Sequence, residues 1–283
     1  MTAQRTNAGP LTKRASLPIA SRNNPRVKAI RDLRQRKERE HSGRFFVDGI
    51  QLVAAAIELG ADVETLVVAP DLLTSRFAHT LLREQRERGV DCLELTAEVF
   101  ESLAAKETAQ GIGAVVRQRW QPLARASPAG GCWVALEEVH YPGNLGTILR
   151  TCDAVGGAGI ILLGHTTDPY GPAAVRASLG AVFAQRLVRA SLAEFADWKH
   201  QQGCVIVGTS PAATVDYQAV AYQPPLILLM GSEPRGLSPM GLALCDVLVT
   251  IPMVGYGDSL NLSVAASVML YEIFNQRRKA DET

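Results

Sequence analysis

Three segments of this 283-residue sequence concentrate side chains that can hold a ligand and stabilise charge. They are 141–156, beginning YPGNLGTILR, 231–236, reading GSEPRG, and 251–263, reading IPMVGYGDSLNLS. Each combines glycines, which let a backbone approach closely, with amide, carboxylate, hydroxyl or guanidinium groups. Such groups orient a substrate by hydrogen bonds and stabilise charge that develops during a reaction. Together the three segments predict one assembled site.

Each of these residues also has an ordinary structural explanation when it is taken alone. Gly143, Gly146 and Gly236 would be turn residues, and Asn144 and Asn261 would be helix caps. The GSEPRG segment lacks the lysine and the spacing of a phosphate-binding P-loop. A dinucleotide-binding oxidoreductase is an alternative, but the sequence lacks the G-x-G-x-x-G turn that such a protein needs between a strand and a helix.

The elements that must position these segments are short apolar runs, each predicting a buried strand. Strands alternate with helical patterns, which predicts a parallel α/β sheet with helices on both faces and a ligand site at the carboxyl ends of the strands. The predicted strands are 133–136, 159–163, 181–188, 204–208, 225–230 and 247–251. The predicted helices are 145–155, 173–178, 192–201, 240–244 and 262–278.

The chain before this sheet predicts a smaller α/β unit, so the expected organisation has four parts. Residues 1–22 form a disordered basic arm, 23–117 the small unit, 118–131 a linker with two prolines, and 132–283 the larger unit. In the small unit we expect strands at 44–47, 63–68, 91–95 and 112–116. We expect helices at 25–39, 51–58, 72–88 and 97–104.

Charge is unevenly distributed along the chain. Residues 1–44 hold twelve Lys or Arg and three acids, a net charge of +9, whereas the rest hold 17 basic and 25 acidic residues, a net charge of −8. A basic segment on an acidic body predicts a polyanionic partner such as RNA, and a solvated tail or helix face is the alternative.

The remaining composition restricts the class of protein. No run of about 18 apolar residues occurs, so we expect no membrane span. The five cysteines form no Cys-x-x-Cys pair, so we expect reduced thiols and no structural metal site. A secretory signal is absent, and prolines interrupt the segment that would otherwise resemble an organellar transit peptide. These features favour a cytoplasmic protein.

The three segments resemble the three motifs of the SpoU family of RNA ribose methyltransferases, a branch of the SPOUT superfamily. The resemblance rests on NLGTILR at 144–150, MGSEPRGLS at 230–238 and IPMVGYGDSLNLSVAASVMLYE at 251–272. It covers 132–277 in motif order and spacing. The small unit is similar to the substrate-binding domain of many members, which resembles ribosomal protein L30e; NPRVKAIRDL and GRFFVDGIQLV correspond to its opening helix and strand.

The resemblance implies a fold and a cofactor that periodicity alone does not give. The C-terminal part of the sheet would form a deep trefoil knot, a rare exception to unknotted topology. Its crevice would bind S-adenosylmethionine through the backbone at Thr209, Gly231, Ile251, Met253 and Leu260. Family members are dimers with sites close to the interface. The apolar stripe of the C-terminal helix is either that interface or part of the core: Leu262, Ala265, Ala266, Met269, Leu270 and Ile273.

The resemblance also assigns catalytic roles, with methylation of a ribose 2′-hydroxyl as the reaction. Arg150 is the family's motif-one arginine, sometimes credited as a base. We favour a clamp for the adjacent phosphate, because a guanidinium is almost never deprotonated in proteins. Asn144 would shape the site, Glu233 would fix Asn144 or Arg150, and Ser259 and Asn261 would orient the third segment.

One departure from the family pattern stands beside the first motif. Many members carry an acidic residue before its proline, where this sequence has Tyr141, preceded by His140. Both are either ordinary loop residues or contacts for RNA by stacking. Arg235 and Tyr256 are further candidates for RNA contact.

The expected substrate is 23S-type large-subunit rRNA, because a ribosomal-protein-like module suggests structured RNA. An antibiotic-resistance methylation is one role that the resemblance allows. A tRNA substrate, or a non-catalytic RNA-binding protein that kept the fold, are the alternatives.

Overall fold

The computed structural model describes residues 17–104, 109–128, 131–233 and 235–281, whose strands form two sheets. The first sheet is mixed, with the spatial order 1-4-2-3. Its strands are β1 (Arg44–Asp48), β2 (Val63–Val68), β3 (Asp91–Glu94) and β4 (Ile112–Arg117). The helices of this part are α1 (Pro25–Asp32), α2 (Arg36–Ser42), α3 (Ile50–Glu58), α4 (Arg76–Glu87) and α5 (Ala97–Glu101).

The second sheet has eight strands, and every pairing among its described residues is parallel, as the alternating pattern predicts. Its strands are β5 (Trp120–Gln121), β6 (Trp133–Glu137), β7 (Gly159–Leu163), β8 (Leu187–Ala190), β9 (Val205–Thr209), β10 (Val215–Asp216), β11 (Leu226–Met230) and β12 (Val247–Thr250). The helices are α6 (Pro142–Ala154), α7 (Pro172–Ser178), α8 (Ala181–Ala184), α9 (Leu192–Gln202), α10 (Pro239–Leu244) and α11 (Leu262–Asp281).

The strand order of the second sheet changes direction at β6. The spatial order is β10-β12-β9-β11-β6-β7-β8-β5, so the chain first builds outwards through β7 and β8 and then crosses to the other side of β6. β6, β7 and β11 are buried along their whole length, since helices cover both faces. Loops that leave neighbouring strands on opposite sides of such a switch point open a crevice at the carboxyl edge.

Several segments differ from their prediction. Residues 181–188 were predicted as one strand but form α8 and the start of β8. A short apolar run does not distinguish a buried helical turn from a strand, and Gly180, with φ 102°, reverses the chain just before this run.

The segment 118–131, predicted as a linker, contributes β5 to the second sheet. Residues 17–22 belong to the predicted disordered arm, yet Ile19 pairs with Leu95 in a β-bridge; the remainder of the arm, 1–16, lies outside the described residues.

The single helix predicted for 25–39 is two helices, and the buried side chain of Arg39, from α2, contacts the break between them. Arg39 Nη1 donates to the carbonyls of Leu33 and Arg34, both at 2.8 Å, and so satisfies backbone groups released at the end of α1. Its guanidinium also pairs with Asp168 at 2.7 Å, in the loop after β7, and both side chains are buried. This ion pair joins the first unit to the second.

All seven arginines of the basic segment that lie within the described residues have partners inside the protein. Arg22 pairs with Glu98, Arg26 with Asp91 and Arg44 with Glu64. Arg34 donates to three carbonyls at the end of α5, from Ser102 to Ala104. The charge excess of this segment therefore serves the fold, in addition to any contact with a polyanion.

The apolar stripe of the C-terminal helix belongs to the core and not to a free surface. Leu262, Ala266, Met269, Leu270 and Ile273 are all buried within the chain. The stripe therefore gives no support to dimerisation.

The cysteines are free thiols, as the sequence predicts. Burial raises the pKa of Cys132 and of Cys152 to about 12. Both thiols therefore stay protonated and unreactive near neutral pH.

We expect Asp168→Ala to lower the free energy of unfolding by about 3–5 kcal/mol, because it leaves the buried Arg39 guanidinium without its counter-ion. Urea unfolding followed by circular dichroism measures this. Arg22→Ala is the matched control, since its pair with Glu98 is exposed and should contribute less than about 1 kcal/mol. Equal losses in the two variants would contradict the assignment of Arg39–Asp168 as the buried joint.

Candidate functional site

A pocket of about 710 Å³ lies at the carboxyl edge of the second sheet, where loops after β9, β11 and β12 meet. This volume is in the range of small-molecule sites. All five residues predicted to hold the methyl donor line it: Thr209, Gly231, Ile251, Met253 and Leu260. The second and third motifs, together with the loop after β9, thus line a cavity large enough for a nucleoside-sized ligand.

The second motif closes on itself above β11, and this explains Gly231. Ser232 N–H donates to the Gly236 carbonyl at 3.0 Å, and Gly236 N–H donates back to Ser232 at 2.8 Å. A Cβ on Gly231 would lie 2.0 Å from the carbonyl carbon of Gly236. Only glycine therefore permits this tight loop on the pocket wall.

A carboxylate joins the three motifs at the rim of the pocket. Glu233 Oε1 accepts hydrogen bonds from Nδ2 of Asn144 and from Nδ2 of Asn261, the second at 3.0 Å. Asn261 Nδ2 also lies 3.2 Å from Asn144 Oδ1. We call Asn144, Glu233 and Asn261 the amide–carboxylate cluster. It fixes the relative positions of loops that follow β6, β11 and β12.

Asn261 both caps a helix and contacts the other two motifs. Its Oδ1 accepts from Ser263 N–H at 2.9 Å and caps α11, while its Nδ2 reaches the cluster. Asn144 is not a cap, because α6 begins at Pro142, three residues earlier than predicted. Its amide is consequently free to face the other two motifs.

Arg150 and Ser259 lie apart from the cluster. Arg150 is exposed on α6 and lines a separate groove with Thr151, Leu179 and Tyr271. Ser259 lines the pocket, and its Oγ lies 3.2 Å from Asp258 Oδ1. Of the two partners predicted for Glu233, the structure therefore selects Asn144 and not Arg150.

Sequence reasoning missed Glu137, the last residue of β6. Its side chain is buried, and Oε2 accepts the backbone N–H of Ser238 at 3.1 Å, at the end of the second motif. The neighbouring Glu138 turns into a left-handed conformation with φ 51°, and its Oε2 lies 3.5 Å from Arg235. Two consecutive acids thus contact the C-terminal half of the second motif. An acid ending a wholly apolar strand was the available signal.

The fold and site define a class: an α/β protein whose parallel sheet carries, at its carboxyl edge, a pocket of small-molecule size lined by loops from three strands. Comparison with known families identifies which one. Residues 131–271 match the SpoU rRNA Methylase family, and residues 24–114 match the MRM3-like substrate binding domain.

Individual relatives agree with the family match over nearly the whole chain. A 23S rRNA (uridine(2479)-2′-O)-methyltransferase of Streptomyces viridochromogenes is 34% identical over 87% of both chains. The 23S rRNA (guanosine(2553)-2′-O)-methyltransferase RlmP of Bacillus subtilis is 29% identical over 90% of this chain and 98% of that one. The crystal structure of an AdoMet-bound rRNA methyltransferase from Sinorhizobium meliloti has 38% identity and a TM-score of 0.84, covering 93% and 97% of the two chains. The protein belongs to the SpoU rRNA methylase family, as its three motifs predict.

We expect Glu137→Ala to speed hydrogen exchange at the Ser238 amide by roughly 10–100-fold, because a buried hydrogen bond to a charged acceptor is lost. Hydrogen–deuterium exchange of peptides covering 231–238 measures this. Glu137→Gln keeps an acceptor oxygen and should exchange at an intermediate rate. Glu138→Ala is the matched control, since its partner Arg235 is exposed; an effect as large as that of Glu137→Ala would contradict the special role of the buried acid.

Proposed function

We propose that the protein transfers a methyl group from S-adenosylmethionine to a ribose 2′-hydroxyl of 23S-type large-subunit rRNA. The observation that carries this proposal is the amide–carboxylate cluster at the mouth of a pocket lined by all five predicted donor-binding residues. The relatives named as 23S rRNA 2′-O-methyltransferases support the choice of RNA and of the reacting atom.

The pocket fits the donor on two grounds, its volume and the tight glycine loop at Gly231 that forms part of its wall. When bound there, S-adenosylmethionine supplies an electrophilic methyl group. Thr209, Gly231, Ile251, Met253 and Leu260 would hold it. Asn144, fixed by Glu233 and Asn261, would orient the RNA ribose at the rim, so that catalysis derives largely from positioning.

Arg150 would act in this reaction at the amide–carboxylate cluster of a second copy of the chain. Arg150 lies on a face of α6 and α11 with three large apolar side chains that are each nearly half exposed: Leu179, Val264 and Tyr271. An isologous dimer through this face would cover those side chains. It would also bring the Arg150 guanidinium of one protomer towards the cluster of its partner, where it would clamp a phosphate and stabilise the developing alkoxide.

Further features of the family extend the proposal. The insertion of β11 between β6 and β9 fits a C-terminal trefoil knot, and the first unit would be the L30e-like RNA-binding part. Residues 1–44 would add phosphate contacts through their basic side chains. Within the described residues, no helix has the length and apolar character that crossing a membrane requires. A cytoplasmic location, with the rRNA substrate, is part of the proposal.

Mapping alkali-resistant linkages in rRNA from cells with and without the protein tests the function directly, because a 2′-O-methyl group protects its own phosphodiester. One linkage in 23S rRNA that depends on the protein is the expected result. A protected linkage in tRNA would select the tRNA alternative. No protected linkage in any RNA would favour the non-catalytic RNA-binding protein.

We expect Gly231→Ala to abolish binding of S-adenosylmethionine in calorimetry without added metal, because its Cβ would collide with the Gly236 backbone. Gly143→Ala is the matched control. A Cβ there meets nothing within 4 Å, so donor affinity should be unchanged. Normal binding by the Gly231 variant, with native circular dichroism in both, would remove this loop from the donor site.

We expect Arg150→Ala to lower turnover by roughly 10²–10³-fold and to leave donor affinity unchanged, because a contact specific to the transition state is lost. Mixing this variant with Asn144→Ala, itself inactive, tests action between protomers. Half of the dimers would be mixed and would carry one intact site of two, so about a quarter of wild-type activity should return. No recovery in dimers shown to exchange would place Arg150 in the site of its own chain.

Arg150→Lys separates the clamp from a base. A lysine keeps the charge but loses the bidentate fork, so partial turnover without a new ionisation in the pH profile is the expected result. Turnover that rises through a new ionisation near the usual lysine pKa would favour the base.

A further inference from the structure

Two exposed histidines stand on adjacent loops beside the amide–carboxylate cluster, and the proposed methyl transfer does not use them. His140 follows β6 and His165 follows β7. Their ring centroids lie 6.4 Å apart with planes inclined by 68°. Across the described part of the chain, neither ring has a hydrogen bond or an ion pair, so both are available to a ligand.

The backbone holds the two loops together. Glu138 N–H donates to the Leu163 carbonyl at 3.1 Å, and Thr167 N–H donates to the Val139 carbonyl at 2.7 Å. The left-handed turn at Glu138 redirects the chain just before His140. The two histidines therefore lie on loops that are already joined by backbone hydrogen bonds, so little conformational entropy is lost when a ligand binds.

The histidine pair lies between the first unit and the cluster. On one side, His140 is only four residues from Asn144. On the other, the loop of His165 contacts α2, since Arg36 Nη1 donates to the Thr166 carbonyl at 2.8 Å and Arg39 pairs with Asp168. An RNA that contacts both the first unit and the cluster must pass over the histidines.

The neighbouring side chains share the chemistry of base recognition. Tyr141 is 61% exposed, and Arg235, three-quarters exposed, reaches Glu138 beside the pair. Aromatic rings and guanidinium planes are the groups on which unpaired bases stack in RNA complexes. Two nearly perpendicular imidazoles can offer one ring face for stacking and the nitrogens of the second ring for a base edge.

We infer that His140 and His165 form a seat for an unpaired nucleobase of the RNA substrate, next to the nucleotide that is methylated. This inference rests on the proposed function, because it names how the same site selects its RNA. The pair lies next to the departure at the first motif, where Tyr141, preceded by His140, stands in place of the family's acidic residue. The seat also requires single-stranded RNA around the target, since a base paired in a helix does not expose its face.

The test uses the full-length protein and an unmodified in vitro transcript of bacterial 23S rRNA. Equilibrium RNA binding, KM for the transcript, turnover and S-adenosylmethionine affinity are measured for His140→Ala, His165→Ala, the double variant and His140→Phe. His200→Ala is the matched control. His200 is exposed near the end of α9, which leads to the amino end of β9, whereas His140 and His165 follow the carboxyl ends of β6 and β7.

We expect the double variant to bind the transcript about 10-fold or more weakly and to raise KM correspondingly, with donor affinity unchanged, because stacking of one base is lost. His140→Phe keeps a ring face and should recover most of the affinity, a rescue that a merely structural role would not give. The control should match the wild type.

If the wild-type enzyme methylates the transcript but the double variant binds RNA with wild-type affinity, the inference about the histidines is wrong and the proposed function still stands. A His140→Phe variant as weak as His140→Ala would overturn stacking. A wild-type protein that binds the transcript but transfers no methyl group would overturn the proposed function. The RNA affinities of the histidine variants would still show whether His140 and His165 bind a nucleobase.

Discussion

The carboxylate of Glu233 is the contact on which the site depends. Loops after β6, β11 and β12 are far apart in sequence, and each is rich in glycine and therefore costly to order. One acceptor oxygen shared by the amides of Asn144 and Asn261 sets the positions of all three. Because Asn261 simultaneously caps α11, the cluster is attached to the longest helix of the fold.

A second joint determines what this site can reach. The buried pair Arg39–Asp168 fixes the first unit against the loop after β7, and Phe45 packs on Tyr170 at 4.8 Å beside it. The first unit is thus held near the carboxyl edge where the pocket opens. Two side-chain contacts, one ionic and one aromatic, therefore join the first unit to the second.

Much of the fold follows from the sequence because its strands are buried on both faces and read as uninterrupted apolar runs. The meeting of Asn144, Glu233 and Asn261 could also be predicted, since carboxyl ends of parallel strands share an edge, whereas the separate position of Arg150 could not. Strand order was not predictable from periodicity, so the partner of Glu233 remained a choice between Asn144 and Arg150. The role of Glu137 needed the same information, because Ser238 lies about a hundred residues away.

Other features depended on three-dimensional neighbours. In sequence, Arg39 resembles one more solvated charge in a basic segment, and only the structure shows that its buried side chain pairs with Asp168 and reaches the break between α1 and α2. The stripe on α11 has the same period whether it faces a partner or the core, and packing assigns it to the core. Residues 181–184 form a helical turn for a similar reason, since Phe183 stacks against Phe45 of the first unit.

The most direct test of the central claim compares methyl-transfer turnover of Glu233→Ala and Glu233→Gln at saturating RNA and donor. The account predicts that alanine lowers turnover by roughly 10²-fold or more, because the loops lose their common acceptor. Glu233→Gln, which retains one carbonyl acceptor, should preserve a measurable part of the wild-type turnover. Wild-type turnover in the alanine variant, with RNA and donor both bound, would contradict the claim that this carboxylate assembles the site.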